Sequence, residues 1–188
     1  MQILDFSPPN DKGEFEFAPP VAEGMTRLYH GTSAHFRPRF DQHGFLLTYR
    51  LVTEAQHRLL ELYAELMPNL GADGVWGLSV SKRLNLAETC SLAIEYASGT
   101  LKGGVARSLH DDLASPLDRK DSHVRDDHRH VLEALRAELD PIVRAPGIVY
   151  AVDFSEGDCA RLQDRIGGLA HAPFDVLPGT ISFGVIVP

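Results

Sequence analysis

The segment Leu28-Tyr29-His30-Gly31-Thr32-Ser33 decides how the rest of the chain is read. Met25 to Tyr29 is a short apolar-aromatic run with no breaker ahead of it until Gly24, and it fits a buried strand. The chain then turns at His30-Gly31. This sets an imidazole at the strand's C-terminal end, beside backbone that has no Cβ to keep a ligand away. Thr32 and Ser33 add hydroxyls next to amides available for binding. Such a strand end suits a small polar ligand, and equally suits a tight turn with a structural histidine.

The 188 residues are enough for one domain, or one domain with an arm, and for a real core. A hydrophobic share of 44% with 23% charged residues is ordinary globular composition. A net charge of −8 disfavours a duplex nucleic-acid binder that works by phosphate neutralisation, though it allows a local basic cleft. The two cysteines, Cys90 and Cys159, are far apart and lack metal-like spacing, which fits a reducing compartment. No basic stretch followed by an apolar run opens the chain, and no apolar run approaches a membrane span. The expectation is a soluble, cytoplasmic protein, with delivery by a leaderless route left open.

Residues 1–24 hold Pro8, Pro9, Pro19 and Pro20 around Glu14-Phe15-Glu16-Phe17, an extended arm with Phe15 and Phe17 on one face. Residues 25–188 form the domain. Ala34 to Gly44, broken by Pro38, is expected as a loop in which Arg37 and Arg39 face solvent or an anion. Thr53 to Met67 has helical spacing, with Thr53 as N-cap. Val75 to Val80 alternates as a strand, and Gly77 within it signals close approach by backbone or ligand. A helix is expected from about Asn85 to Ala97, ended by Gly99. Residues 100–145 form an insertion with a helix from about Asp126 to Asp140. Its histidines His123, His128 and His130 lack the i, i+4 spacing of a metal pair and fit a solvated, charged lid.

Gly147 to Phe154 is the strongest strand signal, apolar on both faces at its start and therefore central. A short helix with Leu162 and Ile166 follows, ended by Gly167-Gly168. Two short strands then flank Pro178-Gly179, a pair that fits a type II turn. With no regular βαβ alternation and no Gly-x-Gly-x-x-Gly run, an α+β domain fits better than a doubly wound parallel sheet.

Together these pieces resemble the ADP-ribosyltransferase superfamily, in the branch with a histidine on the first core strand (diphtheria-toxin-like and poly-ADP-ribose-polymerase-like enzymes). Leu28 to Ser33 looks like its first motif. Trp76 to Ser81, with the helix carrying Ala93 and Tyr96-Ala97, is similar to its second. Gly147 to Phe154 and Phe174 to Val185 look like its later strands. The resemblance implies a split antiparallel/mixed sheet with flanking helices and a helical insertion. It also implies NAD as substrate and transfer of ADP-ribose to a protein or nucleic-acid acceptor, in the setting of a bacterial toxin, effector or phage-type modifier. A cognate antitoxin or immunity protein is an implied partner.

Carried over by position, His30 binds the nicotinamide ribose hydroxyl, and Gly31, beside Thr32, offers its amide and carbonyl to the carboxamide. Ser79 or Ser81 supports the site, Tyr96 stacks on the nicotinamide, and Asp175 stands where the family has its catalytic glutamate. Asp175 is one methylene shorter than that residue, and Asp153 and Glu156 are fallback carboxylates. Two alternatives follow: an RNA 2′-phosphotransferase-like NAD enzyme, which needs arginines around an RNA phosphate, and a catalytically inactive NAD- or nucleotide-binding module.

Overall fold

The fold is described from a computed structural model, over residues 1–46, 84–98, 107, 110–111, 113 and 126–188. The expected helix at 53–67, the expected strand at 75–80 with Trp76, Gly77, Ser79 and Ser81, and Gly103-Gly104 lie outside these residues. Strand β1 (Gln2–Leu4) opens the chain and β2 (Met25–Ser33) follows the arm. A 3₁₀ turn (Ala34–Phe36) leads into α1 (Arg37–His43). Then come β3 (Leu84–Ala87), α2 (Cys90–Ser98), α3 (Asp126–Arg144), β4 (Gly147–Ser155), α4 (Glu156–Cys159), β5 (Gln163–Ile166), β6 (Leu169–Ala172) and β7 (Ile181–Val187).

Among the described residues the strands form one sheet in the order β1-β7-β4-β2-β3-β6-β5. β1 lies parallel to β7, and every other pair is antiparallel, so the sheet is mixed and the fold α+β. β4 is central as its sequence predicts: Gly147 to Val152 are all buried, because both faces of the sheet are covered. One face packs Leu28, Phe40, Phe45, Leu86, Tyr150, Val152 and Phe154. The other packs Phe15, Tyr29, Ala87, Val149, Phe183 and Val185 beneath Ala93 and Ala97 of α2. Each large apolar side chain buried this way contributes about 1.5–3 kcal/mol.

Several elements differ from expectation. Ala34–His43 is helical, a 3₁₀ turn followed by α1, with Pro38 in the first turn of α1, where a missing N–H costs nothing. Asn85-Leu86 are strand, and the helix starts only at Cys90, behind Thr89. α3 runs through Pro141 to Arg144, burying Leu132, Leu135, Leu139 and Ile142 on one stripe. The helix expected around Leu162 and Ile166 is only the single turn of α4. A β5–β6 hairpin replaces the rest, turning at Gly167-Gly168 with φ of 63° and 78°. Pro178–Thr180 is a 3₁₀ turn rather than type II. In the arm, Phe15 is buried but Phe17 is 69% exposed, so the two do not share a face. Among the described residues no helix is long and apolar enough to cross a membrane.

Candidate functional site

The hydrogen-bond phase of β2 determines what the site can do. β2 pairs with β4 from Met25↔Ser155 to Ser33↔Gly147, and the same register continues in the Ala34 N–H to Pro146 carbonyl bond of 2.9 Å. Antiparallel partners alternate between bonded and non-bonded pairs. The even residues of β2 therefore aim their backbone groups at β4. Tyr29, Gly31 and Ser33 aim theirs at the opposite edge. On β3, the Glu88 N–H bonds the Gly168 carbonyl at 2.8 Å in register with β6, so Asn85 and Ala87 aim theirs at β2.

Among the described residues β2 and β3 nevertheless pair at one position only, Tyr29↔Ala87. The next bonded pair in that phase would be Gly31 with Asn85, and it does not form. The Asn85 carbonyl instead lies 2.8 Å from His30 Nδ1. Among the described residues the sheet forks here, and by strand phase the N–H and C=O of Gly31 face the β3 side without a ladder pair.

A carbonyl only accepts, so Nδ1 carries the proton. In the neutral ring Nε2 is then an acceptor. Burial lowers the His30 pKa from its ordinary 6.5, with the Asn85 bond acting weakly the other way, so the neutral ring is favoured. The ring is seated edge-on against Phe45, with centroids 4.9 Å apart, and Phe40 at 6.3 Å. Tyr150, directly across the ladder from His30, packs on both phenylalanines at 5.3 and 5.7 Å. Burial raises the pKa of its hydroxyl, which stays protonated. Thr32 is half-buried and, by strand alternation, on the His30 face.

Gly31 is glycine for a reason other than ligand access. A Cβ there would overlap the Ala93 carbonyl oxygen of α2, and one on Gly147 would overlap the Ala97 carbonyl oxygen. α2 rests directly on the sheet at these two points, its alanines facing their glycines. Tyr96 stands about 60° round the helix from Ala93, on the flank it shares with Leu92. Leu92 reaches toward Gly168 beyond β3, its Cδ2 at 3.8 Å from a Cβ built there. Tyr96, half-buried, thus overhangs the β3 side of Gly31, where the sheet forks. Ser33 belongs to the fold: its hydroxyl donates to the Ile142 carbonyl at 2.6 Å and accepts from the His35 N–H at 3.3 Å.

Asp175 is solvent-exposed. Its neighbour Val176 exchanges two backbone hydrogen bonds of 2.8 Å with Phe45, the residue against the His30 ring. His30 and the helix carrying Tyr96 thus stand on opposite faces of the sheet with the Gly31 backbone between them, and Asp175 is joined to the His30 face through Val176 and Phe45. Asp153 is engaged elsewhere, in a bidentate pair with Arg27 (2.7 Å on each oxygen), and Glu156 is an exposed first residue of α4. His110 ties its segment to α3, with Nε2 2.9 Å from Asp140. Sequence reasoning missed Asn85, Phe45 and Tyr150. The cue for Asn85 was Thr89, a helix N-cap that marks the residues ahead of it as strand.

Comparison of the chain with protein-family models, curated proteins and solved structures finds no match in any of the three.

Proposed function

We propose that this chain is an NAD-dependent mono-ADP-ribosyltransferase that modifies a cytosolic macromolecule and releases nicotinamide, as a bacterial toxin, effector or phage-type modifier would. The observation that carries this reading is the fork. A primary carboxamide needs one acceptor and one donor on a fixed edge, and Gly31 directs both its N–H and its C=O into the gap between β2 and β3. Next to it, His30 Nε2 accepts from a ribose hydroxyl, with the ring held by the Asn85 carbonyl and wedged on Phe45. Tyr96 supplies an aromatic face above the nicotinamide.

As the glycosidic bond to nicotinamide lengthens, positive charge grows on the ribose, and Asp175 is the carboxylate that stabilises it. The pyridine nitrogen takes the bonding electron pair and leaves as neutral nicotinamide, and the acceptor nucleophile closes on the ribose carbon, its proton passing to water. Asp175 is exposed and one methylene short, so its segment has to approach the fork when substrate binds. Misplacement by about 1 Å costs on the order of a hundredfold in rate.

A second reading, transfer involving an RNA 2′-phosphate, is favoured by one observation. α1, whose Phe40 packs on His30, borders a cavity of about 400 Å³ lined by Pro38, Arg39, Gln42, His43 and Leu46.

Nicotinamide release from NAD by wild type, His30→Ala and Asp175→Ala, with and without cell lysate, tests the proposal. The expected result is release by wild type and about a hundredfold loss or more in each variant. NAD binding that is lost in His30→Ala, without release by wild type, would leave a binding module. No binding and no release would sink the NAD reading.

A further inference from the structure

Helix α2 starts at Cys90, so its leading amides need acceptors from outside the helix. Thr89 Oγ1 accepts from the Leu92 N–H at 3.4 Å. A further acceptor comes from the N-terminal arm, where the Gly13 carbonyl takes the Cys90 N–H at 2.9 Å. Gly13 has φ 73°, and a Cβ on it would come within 2.9 Å of Thr89 Cβ, so glycine alone seats the arm this close.

The turn that presents Gly13 is built for the purpose. Asn10 Oδ1 accepts from the N–H groups of Lys12 and Glu14 at 2.9 and 3.1 Å. Backbone bonds from Gly13 to Asn10 (2.8 Å) and from Asn10 to Glu14 (2.9 Å) close it. Phe15 then inserts edge-on against Tyr29 and Phe183, at centroid distances of 6.2 and 6.4 Å. Among the described residues Tyr29 is the last of β2 paired to β3, so the plug sits under the root of the fork. One segment thereby fixes both the start of α2 and the sheet beneath it.

We propose that the turn Asn10–Phe15 is a positioning element for the ligand site: it sets the placement of α2, and through it the position of Tyr96 over the fork. For the identity of the ligand this rests on the NAD reading above. A nine-residue helix spans only about 13 Å as a rigid rod, so a shift at Cys90 is carried to Tyr96 with little loss. A turn that only stabilised the fold would change the melting temperature and leave the site of the folded molecule as it was.

The test uses the full chain with Gly13→Val, followed by amide exchange along α2, the NMR signals of the Tyr96 ring, and the dissociation constant for NAD. The expected result is exchange about tenfold faster in the first half of α2, shifted Tyr96 signals and NAD binding about fivefold weaker. Protection in β6, on the far side of β3, stays at its wild-type level. Asn10→Ala loosens the same turn without adding atoms and gives smaller changes in the same direction, which keeps the test decisive if Gly13→Val does not fold. Unchanged α2 exchange and Tyr96 signals in the folded variants overturn the proposal. So does NAD affinity that stays at the wild-type value while α2 loosens. If wild type binds no NAD, the ADP-ribosyl reading fails by itself, and the α2 exchange and Tyr96 signals still decide whether the arm positions the helix.

Discussion

Strand β2 ends in two different ways. Near its start, Arg27 and Asp153 face each other across the β2–β4 ladder in a bidentate pair. Ser182 donates to the same carboxylate at 2.7 Å, and Arg27 also donates to the Pro19 carbonyl at 2.6 Å. Their side chains are only 6% and 17% exposed, and the guanidinium also lies over the Phe183 ring. Near its finish, the ladder to β3 stops after one pair among the described residues, beside a neutral imidazole and a glycine backbone. The first end pairs its charges within the protein. At the second end, Gly31 forms no ladder pair with β3 among the described residues. Ordered strands do not usually leave a ladder unfinished, because backbone groups are obligatory hydrogen-bonding partners. The contrast separates the part of β2 that stabilises the fold from the part that we propose binds.

The largest expected effect comes from breaking the closed end. Arg27→Met keeps much of the volume but strands the Asp153 carboxylate in a site shielded from water. Loss of one partner of a buried pair costs about 3–5 kcal/mol. Urea denaturation is the measurement, and the expected result is a lower midpoint with ligand affinity of the folded fraction unchanged. A loss below about 1 kcal/mol, the range of exposed pairs, would mean that this end is no more closed than the surface.

Gly31→Ala probes the open end. The added methyl meets the Ala93 carbonyl, which is backbone and can move only if α2 lifts off the sheet. Overpacking of this kind costs about 1–3 kcal/mol. Here the fall in thermal stability is expected together with loss of ligand binding, unlike Arg27→Met, where the two separate. Wild-type melting and binding in the Gly31→Ala variant would show that α2 does not rest on Gly31.

Much of this arrangement was legible in the sequence. The apolar-aromatic run of β2 specifies a buried strand, and the Ile-Val-Tyr-Ala-Val run of β4 specifies a central one. The spacing of Leu132, Leu135 and Leu139 specifies a helix face in α3, although Pro141 hides its last turn, which buries Ile142. What stayed hidden depends on contacts distant in sequence. Leu84–Ala87 is four residues long and carries apolar spacing that a helix could equally use. Only its pairing with β6 and β2 makes it a strand. The Gly167-Gly168 pair fits a helix stop as well as a hairpin turn, and β5–β6 pairing decides between them. The role of Gly31 was the reverse case: the residue type announced close approach, but not that the approaching group is α2. Nor could spacing reveal that Asn85 holds His30, since 55 residues separate them.

The smallest expected effect is a pH dependence that distinguishes the two ends by sign and window. His30 has a lowered pKa, so below its ordinary value of 6.5 the unfolded chain binds a proton that the folded chain resists. Stability therefore falls as pH drops from about 6.5 toward the folded value, with a slope of at most about 1.4 kcal/mol per pH unit. Asp153 feels burial pulling its pKa up, but the hydrogen bonds from Arg27 and Ser182 overcome it and hold the carboxyl below its ordinary 3.8. Its contribution is fully present above that value and is lost only as pH falls below it. Urea midpoints measured from pH 8 to pH 3 for wild type, His30→Gln and Arg27→Met separate the terms. His30→Gln is expected to flatten the decline that begins near pH 6.5 and to leave the acid limb intact. Arg27→Met is expected to do the reverse, since a carboxyl without its guanidinium loses the main cause of its depression. A wild-type curve that His30→Gln leaves unchanged would mean that the imidazole is solvated and charged like any surface histidine. The fork would then lack the fixed acceptor on which its ligand chemistry depends.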